Sequence, residues 1–247
     1  MRMRKKKHGA ERLNSCRELI TNMPTSPMQR PWEAMGKEEM PVYLEIGAGK
    51  GGFACEMARK HPDVCYYAME RVSDCVVIAA ERAMASRGER TDNLRFIVDT
   101  ADNLSDIFAN SSIDKIFLNF SDPWSKKGYA KRRLTHRRYL SLYFNLLKDG
   151  GTLRFKTDNT DLFDFSLLEI EEIGLKCNII TRDLHASEWS NDNVITEYEK
   201  NFSDMGMKIN MLEVTKPVGF TIEIAQELGR DRDRTIRRGE KYESSER

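Results

Sequence analysis

Two carboxylates bracket a cluster of glycines. In the stretch from Val42 to Phe53, Val-Tyr-Leu-Glu-Ile-Gly-Ala-Gly-Lys-Gly-Gly-Phe, Glu45 stands two residues before Gly47, and Gly49, Gly51 and Gly52 follow. Glu70 lies 18 residues beyond Gly52, at the end of the apolar run Tyr66 to Met69. Glycines between an apolar strand and a helix start permit positive φ and close approach of a ligand, and the free N–H groups of the helix start converge on the same point. The chemistry implied is nucleotide binding, with Glu70 offering its carboxylate to a ribose diol. Gly47, Gly49 and Gly52 satisfy G-x-G-x-x-G, which would admit a nicotinamide or flavin dinucleotide. Glu45 separates the readings. It would meet a diphosphate with like charge, but it attracts the amino group of an amino-acid moiety such as that of S-adenosylmethionine. S-adenosylmethionine is favoured; a dinucleotide and a plain structural strand-turn-helix stay open.

A second constellation follows at Asn119-Phe120-Ser121-Asp122-Pro123-Trp124. Asp122 falls at a strand's carboxyl end beside the glycine turn, Pro123 stiffens the backbone and Trp124 offers a flat face for a base. The segment resembles the Asp/Asn-Pro-Pro-aromatic loop of nitrogen-directed methyltransferases; the plain alternative is an Asp-Pro turn with a core tryptophan. From Ser125 to Tyr139 come seven Lys or Arg, and no acid appears between Ser125 and Lys148. Basic residues with tyrosines among them suit phosphate clamping and base stacking on a folded RNA. A solvated helix face is the alternative, although such faces usually interleave acids.

The elements that must position these residues alternate between apolar runs and helical patterns. Strands are predicted at Val42 to Ile46, Cys65 to Met69, Leu94 to Val98, Ile113 to Phe120, Thr152 to Lys156, Lys176 to Ile180 and Lys208 to Val214, with helices over 51–60, 73–87, 103–109, 135–148 and 161–173. This pattern predicts an α/β fold built from βαβ units, a seven-stranded, mostly parallel sheet with helices on both faces and its last strand reversed, as in Rossmann-like class I methyltransferases. A chain of 247 residues suffices for one such domain with extensions. Residues 1–41 form a basic arm carrying Arg2, Arg4, Lys5, Lys6 and Lys7, 42–215 the domain, and 216–247 a charged tail with Arg230 to Glu240, to which no chemistry is assigned. The net charge of +1 conceals this segregation. Five scattered cysteines without C-x-x-C, and dispersed histidines, argue against a disulfide framework and a metal site. No run approaches membrane-spanning length, and the expected setting is the cytoplasm, without membrane association. Monomer and homodimer both stay open.

Five segments taken together resemble the bacterial tRNA (guanine-N7-)-methyltransferase family: Glu-Ile-Gly-Ala-Gly-Lys-Gly, Asn-Phe-Ser-Asp-Pro-Trp-Ser-Lys-Lys, Arg-Arg-Leu-Thr, Phe-Lys-Thr-Asp-Asn (155–159) and Thr-Glu-Tyr-Glu (196–199). The resemblance runs in order from near Met1 to about Val214 and implies methyl transfer from S-adenosylmethionine to N7 of guanine(46) in the tRNA variable loop. It implies that Glu45, Gly47, Gly49, Glu70 and Asp122 contact the cofactor; because positive charge appears on the purine during transfer, Asp122 is also the candidate catalytic residue. It assigns Lys126, Asp158, Thr196, Tyr198 and Glu199 to the substrate, and Gly128, Tyr129, Ala130, Lys131, Arg132 and Arg133 to RNA. Two positions depart from the family pattern. Ser125 stands where a proline is usual, and Thr100 where an adenine-binding Asp is frequent, which turns attention to Ala101, Asp99 and Asp102 for that contact.

Overall fold

The computed structural model describes residues 7–85 and 92–222. Arg2 to Lys6 of the basic arm and the charged run from Arg230 lie outside the described residues. Seven strands form one sheet among them: β1 (Val42–Ile46), β2 (Cys65–Glu70), β3 (Leu94–Val98), β4 (Ile113–Asn119), β5 (Leu147–Thr157), β6 (Ile179–Thr181) and β7 (Asn210–Thr215). Their order is β3-β2-β1-β4-β5-β7-β6. Neighbours from β3 through β5 run parallel, and β7 is antiparallel to both β5 and β6. This is the expected mostly parallel sheet with its last strand reversed. The chain leaves β1 toward β2 on one side and returns through β4 on the other, so the crevice at a topological switch point opens above the carboxyl ends of β1 and β4.

Period-two alternation sorts the strand side chains between two layers. Leu44, Ile46, Leu118 and Phe155 pack in one core with α4 (Leu104–Ile107), α5 (Arg137–Leu146) and α6 (Thr160–Glu172). Tyr66, Ala68 and Phe117 pack in a second core with α2 (Gly52–Lys60) and α3 (Ser73–Ala85). The same alternation puts Glu45, Asn119 and Lys156, polar residues on central strands, on the second face. A smaller cluster of Ile179, Leu184, Ile209 and Met211 closes the far end, beside α7 (Glu197–Asp204).

The arm is tied down where it is described. Helix α1 (Gly9–Ser15) holds Glu81 of α3 through a bidentate Arg12 guanidinium, both bonds at 2.7 Å. Beyond it Leu19 is buried, Thr21 N–H donates to Phe96 O, and the Tyr67 hydroxyl donates to Pro31 O at 2.8 Å. Strand β5 begins at Leu147 rather than Thr152, its register with β4 shifting between Ile113 and Lys115. β6 shrinks to three edge residues, Ile179–Thr181, in place of Lys176 to Ile180. Helix α7, absent from the sequence reading, depends on a capping box at Thr196 and Glu199. No described helix is long and apolar enough to cross a membrane.

Candidate donor pocket and acceptor lip

The glycine turn does what its composition requires. Gly47, Gly49 and Gly51 all have positive φ, at +85°, +54° and +71°. At Gly51 a Cβ would come within 2.6 Å of Ala79 Cβ on α3, so both conformation and packing demand glycine there. Gly47 and Ala48 N–H both donate to Met69 O, which fastens the turn to β2. Glu70 at the end of β2 accepts from Gly49 N–H at 3.1 Å and from Val72 N–H at 2.8 Å, so its carboxylate braces the turn as it faces the cavity.

Glu45 is the most perturbed acid. It is 2 % exposed, and burial pushes its carboxyl up to about 7 against the opposing pull of the Asn119 amide and the Lys156 charge, with Glu70 adding to the rise. Asn119 Nδ2 donates to Glu45 Oε1 at 3.0 Å. Glu45 Oε2, Asn119 Oδ1 and Ser121 Oγ are buried without a hydrogen-bond partner. Buried polar atoms left open call for an explanation, and three together near the ends of β1 and β4 suit a bound ligand. One more donor, such as an ammonium, would satisfy Glu45 Oε2.

Beside these strand ends lies a cavity of about 680 Å³ whose walls include Gly47, Glu70, Thr100, Ala101 and Asp122 on one side and Lys131, Arg132 and Arg138 on the other. Thr100 N–H donates to Asp99 Oδ1 at 2.6 Å, and Asn103 holds the same oxygen at 2.8 Å, so the Asp99 side chain caps its own turn. Asp102 is held by Arg138 at 2.5 Å and by the Tyr139 hydroxyl. Thr100 and the Ala101 backbone are thereby left facing the cavity between two engaged acids.

The Asp-Pro loop is held in a tense conformation. Phe120 at φ +50° and Trp124 at φ +43° bracket it, and neither is glycine. Such backbone persists only where the surroundings over-determine it, and it clusters at functional sites. Here Phe120 N–H donates to Lys156 O, while Arg133 Nε donates to Pro123 O at 2.9 Å and Arg133 Nη2 to Trp124 O at 3.3 Å. Asp122 itself is 71 % exposed at the side chain, 3.7 Å from Arg71.

Within the basic segment the residues divide. Gly128, Tyr129, Lys131 and Arg132 are exposed and Ala130 half-buried on a 3₁₀ turn, Lys127–Arg132. The Arg132 guanidinium lies over the rings of Trp124 and Tyr129, at 5.1 and 4.7 Å. Arg133 turns inward: it holds the loop carbonyls, covers the Phe165 ring at 4.3 Å, and burial lowers its pKa. That task as a brace was not visible from charge and spacing.

Of the substrate set, Lys126 is exposed just ahead of the turn. Asp158 directly follows β5; Asn159, not Asp158, caps α6 by accepting from Leu162 N–H at 2.8 Å. No hydrogen bond or ion pair engages the Asp158 carboxylate among the described residues. Thr196 and Glu199 are taken up by the capping box of α7, and Glu199 is fully buried. Its oxygens accept from Lys156 Nζ at 2.6 Å and Asn193 Nδ2 at 2.6 Å, with His185 Nε2 at 2.9 Å. Of the three residues assigned to the substrate in the Thr-x-Tyr-Glu segment, Tyr198 reaches outward, 45 % exposed and packed on Phe120 with ring centroids 5.0 Å apart. Burial raises its phenol, and the nearby charges of Asp158 and Asp122 raise it further.

Sequence reasoning assigned no role to Asn119, Lys156, Asn193 or His185. Position held a signal for one of them: a lysine on a central strand, sharing a face with Glu45, must find a buried partner.

A family model described as "Putative methyltransferase" matches residues 39–212. Among solved structures, the 16S rRNA methyltransferase KamB superposes with a TM-score of 0.59 at 12% identity, over 81% of this chain and 98% of that one. An antibiotic-related methyltransferase gives a TM-score of 0.55 at 18% identity, over 75% and 92%. A variant 16S rRNA (adenine(1408)-N(1))-methyltransferase from Catenulisporales acidiphilia, solved with its cosubstrate SAM, gives 0.54 at 11% identity, over 81% and 96%. At these identities the likeness is one of fold.

Proposed function

This chain belongs to the methyltransferase family that matches residues 39–212, and we propose that it methylates N7 of a guanine in the tRNA variable loop, guanine(46). The observation that carries the reading is the cavity itself, which brings the acids Glu70 and Asp122 and the exposed cations Lys131 and Arg132 around one space. A methyl donor and an RNA therefore meet at one place.

S-adenosylmethionine is the cofactor and supplies the methyl group as an electrophile. The residues present fit it. Glu45, with an open buried oxygen, would hold the ammonium; Glu70 would take the ribose diol; Gly47 and Gly49 permit close approach; Thr100 and the Ala101 backbone border the base end. Because Thr100 carries no charge, the base contact in this chain rests on backbone and hydroxyl groups.

Guanine N7 has an in-plane lone pair and no proton, so no general base is required. Alignment and charge are the remaining demands. Methylation at N7 would leave positive charge on the purine. Asp122, at the mouth and free to swing, stabilises that charge, and Asp158 holds the guanine or its loop. Tyr198 stacks beside the base, while Thr196 and Glu199 act by shaping the turn that presents it. Lys126, Lys131 and Arg132, with the ring of Tyr129, grip phosphates and flanking bases, and Arg133 keeps the loop in place.

The test is incubation with unmodified tRNA and labelled donor, followed by borohydride–aniline scission. Labelled tRNA cut at the variable loop is the expected result. Label that resists scission, or label entering 16S rRNA and not tRNA, refutes the assignment.

A further inference from the structure

We propose that Lys156 is the positioning residue of the acceptor side: its ammonium, through Glu199, and its carbonyl, through Phe120, lock the two segments that flank the seat of the target base. The proposal rests on the RNA-methylating reading above.

Lys156 is 1 % exposed in the middle of the sheet. Its Nζ donates to Asn193 Oδ1 at 2.9 Å, Val194 O at 3.0 Å and Glu199 Oε2 at 2.6 Å, which uses all three protons. All three acceptors belong to residues 193–199, the irregular stretch before α7 and the first turn of that helix. On its backbone side, Lys156 O accepts from Phe120 N–H at 2.9 Å, the first strained residue of the Asp-Pro loop. The two held segments then touch each other through Phe120 and Tyr198. Phe53 and Phe120 flank the ammonium at 5.2 and 5.9 Å and keep water from it. One residue thus sets the distance between Asp122, Tyr198 and Asp158.

Stability alone does not explain the arrangement. An ion pair taken fully out of water recovers little more than its desolvation cost, and apolar side chains would fill the same space as well. What the pair adds is direction: the three hydrogen bonds of the Lys156 ammonium fix Asn193, Val194 and Glu199, and with them Tyr198, in one orientation. Glu199 also receives Asn193 and lies against His185, so its position is fixed from every side.

Lys156→Met alone would strand Glu199 as a buried charge, so the informative variant is Lys156→Met with Glu199→Gln. It removes both charges while glutamine retains the capping box. In the full-length protein the expected result is a fall in kcat for tRNA methylation of about 100-fold, the scale of a 1 Å misplacement. Tm should stay within about 5 °C of wild type, and the affinity for S-adenosylhomocysteine at pH 8.5 should change less than about threefold, roughly 0.7 kcal/mol. Backbone amides of 193–199 should exchange at least about tenfold faster in hydrogen-exchange mass spectrometry. Retained turnover overturns the proposal, as does unchanged exchange; so does a loss of turnover that merely tracks Tm or donor affinity. If wild-type protein methylates no tRNA, the proposed function falls, and the exchange comparison still decides whether Lys156 holds the segment.

Discussion

Titration of Glu45 offers the most quantitative check on the donor pocket. Burial lifts its carboxyl from 4.5 to about 7. Because the folded, donor-free protein binds this proton more tightly than the unfolded chain, the stability linked to it is present below about pH 4.5 and is lost as pH rises through about 7. A shift of this size corresponds to about 3 kcal/mol. Donor binding reverses the preference, since an ammonium pairs with the ionised acid. The apparent dissociation constant then scales inversely with the ionised fraction, which is about 0.9 at pH 8, one half at pH 7 and about 0.1 at pH 6. Calorimetric titration of S-adenosylhomocysteine should show roughly tenfold weaker binding at pH 6 than at pH 8, and release of about half a proton at pH 7 when run in buffers of different ionisation enthalpy. Glu45→Gln should flatten the profile and weaken binding at pH 8 by roughly 10- to 100-fold, the worth of one charge-assisted hydrogen bond. Wild-type affinity that is level between pH 5.5 and 8 would refute the placement of the ammonium at Glu45.

Asp122→Ala and Asp158→Ala should each lower kcat by about 100-fold or more while melting temperature stays near wild type, and Asp158→Ala should also leave S-adenosylhomocysteine binding near wild type; single-turnover methylation kinetics and thermal shift read both. Reversing Lys131 and Arg132 together should reduce the slope of log affinity against log salt for tRNA by about 2, whereas Arg133→Ala should leave that slope nearly intact and reduce turnover by freeing the Pro123 and Trp124 carbonyls. Gly51→Ala, which puts a methyl against Ala79 and a side chain at φ +71°, should cost about 2–4 kcal/mol in denaturant unfolding and abolish donor binding.

The parts of the fold that were legible in the sequence are those where one physical cause dominates. Parallel strands buried on both faces read as apolar runs, so β1, β3 and the start of β4 fall where the runs fall. The glycine turn was equally plain, because positive φ leaves glycine little competition. Legibility fails where long-range pairing decides. β5 extends back to Leu147 where Ile113 of β4 pairs with Leu147 and Lys216, just past β7, exchanges backbone hydrogen bonds with Gly150 and Gly151, while its run Lys-Asp-Gly-Gly argues locally for a turn. α7 was hidden because its amphipathic stretch is short and its decisive feature, Thr196 with Glu199, was read as a substrate motif. Arg133 shows the same limit at the site. Six residues of one basic segment share composition and spacing, yet the protein carbonyls that claim Arg133 lie at Pro123 and Trp124, and only folding reveals them.

The separation of charge around the cavity also explains how one wall can serve two substrates of opposite sign. Glu70 sits at the end of β2 on the cavity wall, and Glu45 is buried in β1 where the effective dielectric is low. The cations Lys131 and Arg132 are exposed, where salt screens each of them and where a polyanion can still gather several contacts at once. On the proposed function, a phosphate chain at the rim would be kept from the acids, while the cationic donor would be drawn past the rim to them. Asp122 lies at the boundary, exposed and weakly held by Arg71 at 3.7 Å. An RNA phosphate that drew Arg71 away would leave Asp122 facing the purine as it acquires charge. Arg71→Ala should therefore leave single-turnover methylation within about threefold of wild type at saturating tRNA, an exposed pair being worth about 0.2–1 kcal/mol. A loss as deep as that of Asp122→Ala would show instead that Arg71 itself belongs to the reacting site.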